Sequence, residues 1–241
     1  MKNFVKNVIR TIFKNNGYNL RLTKINACNN EEVMMKQLFD KYSIDLILDV
    51  GASRGQYVDS IRKMGYDKDF LCFEPVNAAF DVLNKKFLDD SNVAVVNAAV
   101  GSENCDFGIN VSECDMCSSV LDVTLAATSV EPATKTVALQ PCKMYKLDYF
   151  YDVLENNCVA IKIDTQGFES DVILGATETL KLAKMLFVEM SLVELYEGQA
   201  LFSEVVSMLE DRGFELFAVT PAFLDDSGRM LQVDGLFVVK E

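Results

Sequence analysis

From Ser43 onward the apolar positions switch repeatedly between two spacings. SIDLILDV (43–50) is a nearly unbroken apolar run with the length of a buried strand. Tyr57, Val58, Ile61 and Met64 then mark one face of a helix that stops at Gly65. DFLCFEP (69–75) predicts a second strand halted by Pro75, and Val76, Phe80, Leu83 and Phe87 predict a second helix. VAVVNAAVG (93–101) reads as a third strand. After an interruption the alternation resumes with CVAIKID (158–164) as a strand, and Val172, Ile173, Ala176, Leu180 and Ala183 as one helical stripe. MLFVEM (185–190) is a further strand, and Leu201, Phe202, Val205, Val206 and Leu209 stripe a last helix ending at Gly213. FELFAVT (214–220) and GLFVVK (235–240), joined through the polar DDSGR (225–229), predict an antiparallel pair at one sheet edge.

Apolar strands separated by amphipathic helices predict an α/β fold, a doubly wound and mostly parallel sheet covered on both faces. Between about 101 and 151 the rhythm changes: CDFGINV (105–111) and TKTVALQPCKM (134–144) are extended, which predicts a β-rich insertion. In the first 22 residues Lys2, Lys6, Arg10 and Lys14 fall on one face, with Val5, Val8, Ile9, Ile12 and Phe13 behind them. This basic amphipathic helix either packs with its charges in water or touches a membrane surface or partner. The expected organisation is a helical extension over 1–42 followed by one domain over 43–241.

The 23 basic and 36 acidic side chains give a formal net charge of −13, which argues against nucleic acid as a partner. The absence of a long apolar run argues against a transmembrane segment or secretory leader, and seven cysteines in a large domain suggest a reducing compartment, so a cytoplasmic location is expected. The chain has no histidine. Proton transfer therefore falls to carboxylate, lysine, tyrosine or cysteine.

The loop Gly51-Ala52-Ser53-Arg54-Gly55 follows the first predicted strand, where ligands of open parallel sheets collect. Its G-x-x-x-G spacing lacks the third glycine of a dinucleotide loop and suits one carboxylate better than a pyrophosphate. A plain tight turn would have the same sequence. Glu74, ending the second strand, is placed to accept hydrogen bonds from the vicinal hydroxyls of a ribose, or is an exposed acid beside Pro75. Asn97 suits an adenine edge or a turn, and Asp49 would face a ligand ammonium group. A nucleoside joined to an amino acid is the chemistry of S-adenosylmethionine.

In order along the chain, LILDVGASRGQY, FLCFEP, VVNAAVGS, KLDYF, IKIDTQGFESDVILGA, FVEMS and DGLFV resemble the FkbM family of S-adenosylmethionine-dependent methyltransferases. The resemblance runs from about Ser43 to the C-terminus, and the segment from Lys162 to Ala176 is its most diagnostic part. It implies the Rossmann-like class I methyltransferase sheet, seven strands with an antiparallel edge strand, and O-methylation of hydroxyl or carboxyl groups on sugars, glycans or secondary metabolites. The family motif carries over onto Asp49, Gly51, Gly55, Glu74, Asp164, Gly167 and Glu169. Cofactor contacts are expected from Asp49, Gly51, Ala52, Ser53, Gly55 and Tyr57, and from Glu74, Pro75, Asn97, Ala98 and Asp164. The cysteine-rich stretch from Cys105 to Cys117 departs from the family pattern.

Asp164 and Glu189, at the ends of their strands, are the acids expected to flank the transferred methyl, with Asp164 the first choice of base. An N-cap for the helix starting near Phe168 would equally explain Asp164, and a first-turn acid would explain Glu169. Lys162 shares a strand face with Asp164 and either holds that carboxylate ionised or is solvated at the strand end. No spacing demands a metal: a magnesium ion on Asp164 and Glu189 is conceivable, and zinc on Cys114 and Cys117 would need Cys105 or Cys142 as well. Ser118 and Ser119 fall beside a possible pocket, and Tyr145, Tyr149 and Tyr151 read as packing residues. Two other readings remain open, a nicotinamide-dependent oxidoreductase on a related sheet and a non-catalytic nucleoside-binding module.

Overall fold

A computed structural model describes residues 30–240. The basic helix read in the first 22 residues lies outside them. The chain divides between Lys41 and Tyr42. The described part of the first unit is residues 30–41, all but the last residue of α1 (Glu31–Tyr42), which starts where the Asn30 side chain accepts the Val33 N–H at 2.8 Å.

The second unit is built on seven strands in the order β3-β2-β1-β7-β8-β10-β9. In chain order these are β1 (Leu46–Val50), β2 (Asp69–Phe73), β3 (Val93–Val96), β7 (Val159–Ile163), β8 (Ala183–Ser191), β9 (Phe214–Leu224) and β10 (Met230–Val239). The helices α2 (Gln56–Lys63) and α3 (Asn77–Lys86) connect the first three strands. Strand order reverses between β1 and β7, so the carboxyl ends of these two strands flank the crevice where open α/β sheets bind ligands. Every position of β1 and β7 is buried, as the unbroken apolar runs required. Leu46, Leu48 and Val50 join Val159, Ile161 and Ile163 in the main core. By alternation Ile47, Asp49, Ala160 and Lys162 point to the other face.

The edge pairing is antiparallel, as expected, but the strand that runs against the others is β10, one place in from the edge. It inserts between β8 and β9, so its opening residues lie beside the carboxyl end of β8: Asp234 is opposite Glu189, and Gln232 opposite Ser191.

Two predicted elements divide. VAVVNAAVG is β3 in the main sheet and β4 (Ala99–Val100) in a second, three-stranded sheet, whose order is β4-β6-β5. The break is at Asn97, whose amide donates to the Glu74 and Pro75 carbonyls at 3.0 and 3.4 Å. The insertion consists of β5 (Cys105–Ser112), α4 (Leu125–Val130) and β6 (Thr136–Tyr145), with β5 and β6 antiparallel. It leads through α5 (Tyr151–Leu154) into β7. The stripe from Val172 to Ala183 is two short helices, α6 (Glu169–Leu174) and α7 (Thr179–Leu182), and Ala183 opens β8. A β-carbon on Gly175 would lie 1.9 Å from the Gly101 carbonyl oxygen, so the break is a close backbone approach between the end of α6 and the insertion. The last helix, α8 (Phe202–Glu210), packs on α6 and β9.

No helix among the described residues is long and apolar enough to cross a membrane. Gly175→Ala should destabilise the fold by about 1–3 kcal/mol, since the added carbon meets backbone that cannot rotate away; urea unfolding measures the loss.

Candidate active site

The carboxyl ends of β1, β2, β7 and β8, the start of β10 and the insertion enclose a cavity of about 640 Å³, within the range of small-molecule sites. The G-x-x-x-G loop forms its floor. Gly51 (φ 80°) lies so close to β7 that a β-carbon would sit 1.8 Å from the Asp164 carbonyl, and one on Gly55 (φ 79°) would strike Phe87 at 2.5 Å. Both glycines are therefore required by packing as well as by backbone angle. Ser53 holds a left-handed φ of 47°, and its buried hydroxyl has no hydrogen-bond partner.

Glu74 is 5% exposed, which excludes the exposed-acid reading. Its Oε2 accepts the Ser53 N–H and its Oε1 the Val76 N–H, each at 2.7 Å, locking the loop after β1 to the end of β2. Burial pushes this carboxyl up to about 7, against the two N–H donors that favour its ionised form.

Lys162 is 6% exposed and is not the solvated strand-end lysine that its position allowed. Its ammonium lies 3.3 Å from Asp49 Oδ1 and 3.2 Å from Asp164 Oδ2, and donates to the Gly51 carbonyl at 2.8 Å. Asp49 and Lys162 are partners in the β1–β7 register. Burial alone would lower the lysine, but the Asp164 and Asp49 carboxylates hold it high. Burial raises Asp49 above the usual carboxylate range, opposed by Lys162.

Asp164 caps no helix: α6 begins after Phe168 without a side-chain cap, and Asp164 Oδ1 accepts from Gln166 Nε2 at 2.9 Å. The same Gln166 nitrogen donates to Glu189 Oε2 at 2.7 Å, and Gln232 Nε2 donates to that oxygen, also at 2.7 Å. Tyr196 completes the network, its hydroxyl donating to Gln166 Oε1 at 2.8 Å, with the Cys117 carbonyl 3.1 Å away. Burial lifts Glu189 well above the usual carboxylate range, reinforced by Asp164, Glu169 and Asp234. Glu169 is a loop anchor. Its Oε1 accepts from Thr165 N, Thr165 Oγ1 and Gly167 N at 2.9 to 3.1 Å, and burial pushes it up to about 7.

Of the expected contacts, Gly51, Ala52, Ser53, Tyr57, Glu74, Pro75, Ala98, Lys162, Asp164 and Glu189 line the cavity. Asp49, Gly55 and Asn97 do not: Asp49 is turned to Lys162, Gly55 packs on Phe87, and the Asn97 amide is held by two backbone carbonyls. Ser118 and Ser119 line it from the insertion, where Ser119 Oγ donates to the Gln166 carbonyl at 2.7 Å. Tyr145 and Tyr149 stack on each other with ring centroids 5.0 Å apart. Among the described residues none of the cysteines forms a disulfide, and no group of three or more Cys, Asp or Glu is arranged to hold a metal ion. The reading of single residues missed Gln166, Tyr196 and Gln232 as site residues. Gln166 stood inside the diagnostic motif, but Gln232 joins the site only through the antiparallel register of β10.

The family model for the methyltransferase FkbM domain matches residues 49–216. The chain belongs to the FkbM methyltransferase family. Residues 49–216 are thus the methyltransferase FkbM domain of this chain. Among curated proteins it is similar to the 2-O-methyltransferase NoeI of Sinorhizobium fredii (strain NBRC 101917 / NGR234), 44% identical over 61 residues. That match spans 25% of this chain and 24% of NoeI. Among solved structures it is similar to Aeropyrum pernix fibrillarin with bound S-adenosyl-L-methionine, with a TM-score of 0.46, 11% identity, and 80% of this chain and 66% of that chain covered. It is also similar to precorrin-6y C5,15-methyltransferase from Geobacter metallireducens GS-15, with a TM-score of 0.45, 13% identity, and 91% and 94% covered.

The raised carboxyls set a sign for the pH dependence of stability. A group protonated more readily in the folded state gives stability at low pH that is lost as pH rises from its unfolded value, 4.5 for Glu169, through its folded value near 7. Glu169→Gln should therefore remove part of the decline in unfolding free energy between about pH 4.5 and 7, on the order of 2 kcal/mol, in urea titrations across that window.

Proposed function

We propose that this FkbM methyltransferase acts on a hydroxyl group of a neutral acceptor, a sugar, glycan or polyhydroxylated secondary metabolite. One observation carries the choice of hydroxyl over carboxyl. The cavity wall presents Asp164, Glu189 and Asp234, while its buried cation, Lys162, already faces two carboxylates. A carboxylate acceptor would enter a field of its own sign. A hydroxyl-rich acceptor meets oxygens and amides able to bond it, and the positive sulfonium of the donor is attracted to the same wall. NoeI is a 2-O-methyltransferase, which agrees with this choice.

The residues present fit the donor. The unpartnered Ser53 hydroxyl and the loop backbone offer groups to an amino-acid moiety, Glu74 has lone pairs left for a ribose diol, and Pro75, Val76, Ala98 and Ala99 provide an apolar wall for a purine. In this reading Asp49 acts through Lys162 instead of touching the ligand. When bound, S-adenosylmethionine supplies an electrophilic methyl group on a sulfonium. The protein aligns the acceptor oxygen, excludes water and takes up its proton. The net acidic charge and site carboxylates do not suit a nucleic acid acceptor, and the free cysteines among the described residues suit work in the cytoplasm.

Transfer of a labelled methyl group to neutral saccharides, with uronic acids in parallel, tests the acceptor class. Base-stable methyl ethers on the neutral sugars are the expected product; base-labile methyl esters on the uronic acids would overturn it, and no transfer to any acceptor would favour a binding module. Calorimetry with S-adenosylhomocysteine tests the donor site: Glu74→Ala should weaken binding by about 1–3 kcal/mol, with no binding of NAD to the wild-type protein.

A further inference from the structure

We propose that the side-chain amides of Gln166 and Gln232 clamp one oxygen of Glu189 so that its other oxygen, Oε1, is presented to the acceptor hydroxyl as the proton-accepting atom. The proposal rests on the hydroxyl-methylation reading above and divides the labour between the two site carboxylates.

Both oxygens of Asp164 are engaged, Oδ2 by the Lys162 ammonium at 3.2 Å and Oδ1 by Gln166 at 2.9 Å. Neither oxygen of Asp164 is therefore left without a partner. Glu189 is held differently. Two amide nitrogens, from Gln166 and Gln232, converge on Oε2 at 2.7 Å each. Among the described residues Oε1 takes no hydrogen bond, and Glu189 lines the cavity. The carboxylate is thus fixed at one end and open at the other.

The orientation of the clamp is determined by its neighbours. If the Gln166 amide were flipped, its oxygen would face Asp164 and Glu189 together, and its nitrogen would lose both carboxylate acceptors. In the observed orientation the amide oxygen accepts from the Tyr196 hydroxyl at 2.8 Å, and the Gln166 backbone, held at φ 54°, accepts from Ser119 at 2.7 Å. Gln232 is buried on β10 and reaches Glu189 from the opposite strand.

The charged and titratable groups around Glu189 come from every element packed on it: Lys162 and Asp164 at β7, Glu169 on α6, Asp234 on β10, with Tyr196 and Cys117 nearby. Burial and these acids raise the proton affinity of Glu189, against Lys162. The proton moves from the acceptor oxygen to Glu189 Oε1 as that oxygen's electron pair bonds the methyl carbon and the carbon–sulfur pair stays on sulfur. The negative carboxylate and positive sulfonium become a neutral acid and a neutral thioether, so charge and atoms balance.

The test is an infrared pH titration of the full chain with S-adenosylhomocysteine bound, for the wild type, Glu189→Gln, Gln166→Asn and Gln232→Met. Asparagine accepts the left-handed backbone of position 166 and is one methylene too short to bridge. Methionine fills the buried 232 site without a donor. Glu189→Gln should abolish one titrating carboxyl band. Each amide variant should move that band to higher pH by about one unit, because an N–H donor supporting the ionised form is gone. The acid limb of kcat for the neutral saccharides should move in the same direction, while S-adenosylhomocysteine affinity, which also reports folding, stays within twofold. A band that survives Glu189→Gln, or a midpoint unmoved in both amide variants, overturns the clamp. A midpoint that moves as expected while no hydroxyl is methylated supports the clamp geometry and overturns the hydroxyl reading alone.

Discussion

The buried ammonium of Lys162 is the interaction on which the rest of the site depends. It lies between Asp49 of β1, the Gly51 carbonyl of the loop that follows, and Asp164 at the end of β7. One charge thereby joins the two strands that flank the sheet's switch point. Loss of one partner of a buried pair leaves an uncompensated charge and costs about 3–5 kcal/mol, whereas an apolar replacement of the whole group can be neutral. The cluster is therefore poorly explained by stability. It is better explained by position, since it holds the Gly51 loop against the Asp164 turn while leaving one net negative charge at the cavity wall.

Burial governs the carboxyls around this cluster. Glu74 and Glu169 each anchor backbone N–H groups of a loop, yet burial raises both to about 7. The carboxylates are held in place at a cost in folding energy, and the cost is met by the core on the far face of the sheet, where Val172, Ile173, Val205 and Leu209 pack on β1, β7 and β8. In the function proposed above, a wall of this sign accommodates a sulfonium and a neutral acceptor together. The amides of Gln166 and Gln232 then distinguish two carboxylates that composition alone makes equivalent.

The reversed strand β10 is the second constraint. Had β10 run with its neighbours, its opening residues would lie at the opposite end of the sheet from the cavity. Inserted antiparallel between β8 and β9, it delivers Gln232 and Asp234 beside Glu189. The insertion acts similarly from the other side. Its Ser119 fastens the Gln166 backbone and its Cys117 carbonyl lies within reach of Tyr196, so a segment outside the main sheet shapes that side of the cavity.

Local physics in the sequence was enough for the alternation of strands and helices, the buried character of 46–50 and 159–163, and the glycine loop with Glu74 beyond it. Each of these depends on neighbours along the chain, through periodicity, turn chemistry or strand-end position. Other features were beyond its reach. The division of VAVVNAAVG into two sheets depends on the Asn97 amide finding carbonyls at 74 and 75, and the break at Gly175 depends on a carbonyl at 101. Lys162 was equally compatible with water until the fold enclosed it between Asp49 and Asp164. By itself the sequence determined the sheet architecture and the family, because these follow from short-range pattern and motif. Only the tertiary structure decided which carboxylate is neutralised and which stays open, because that depends on the distances between side chains brought together from separate strands.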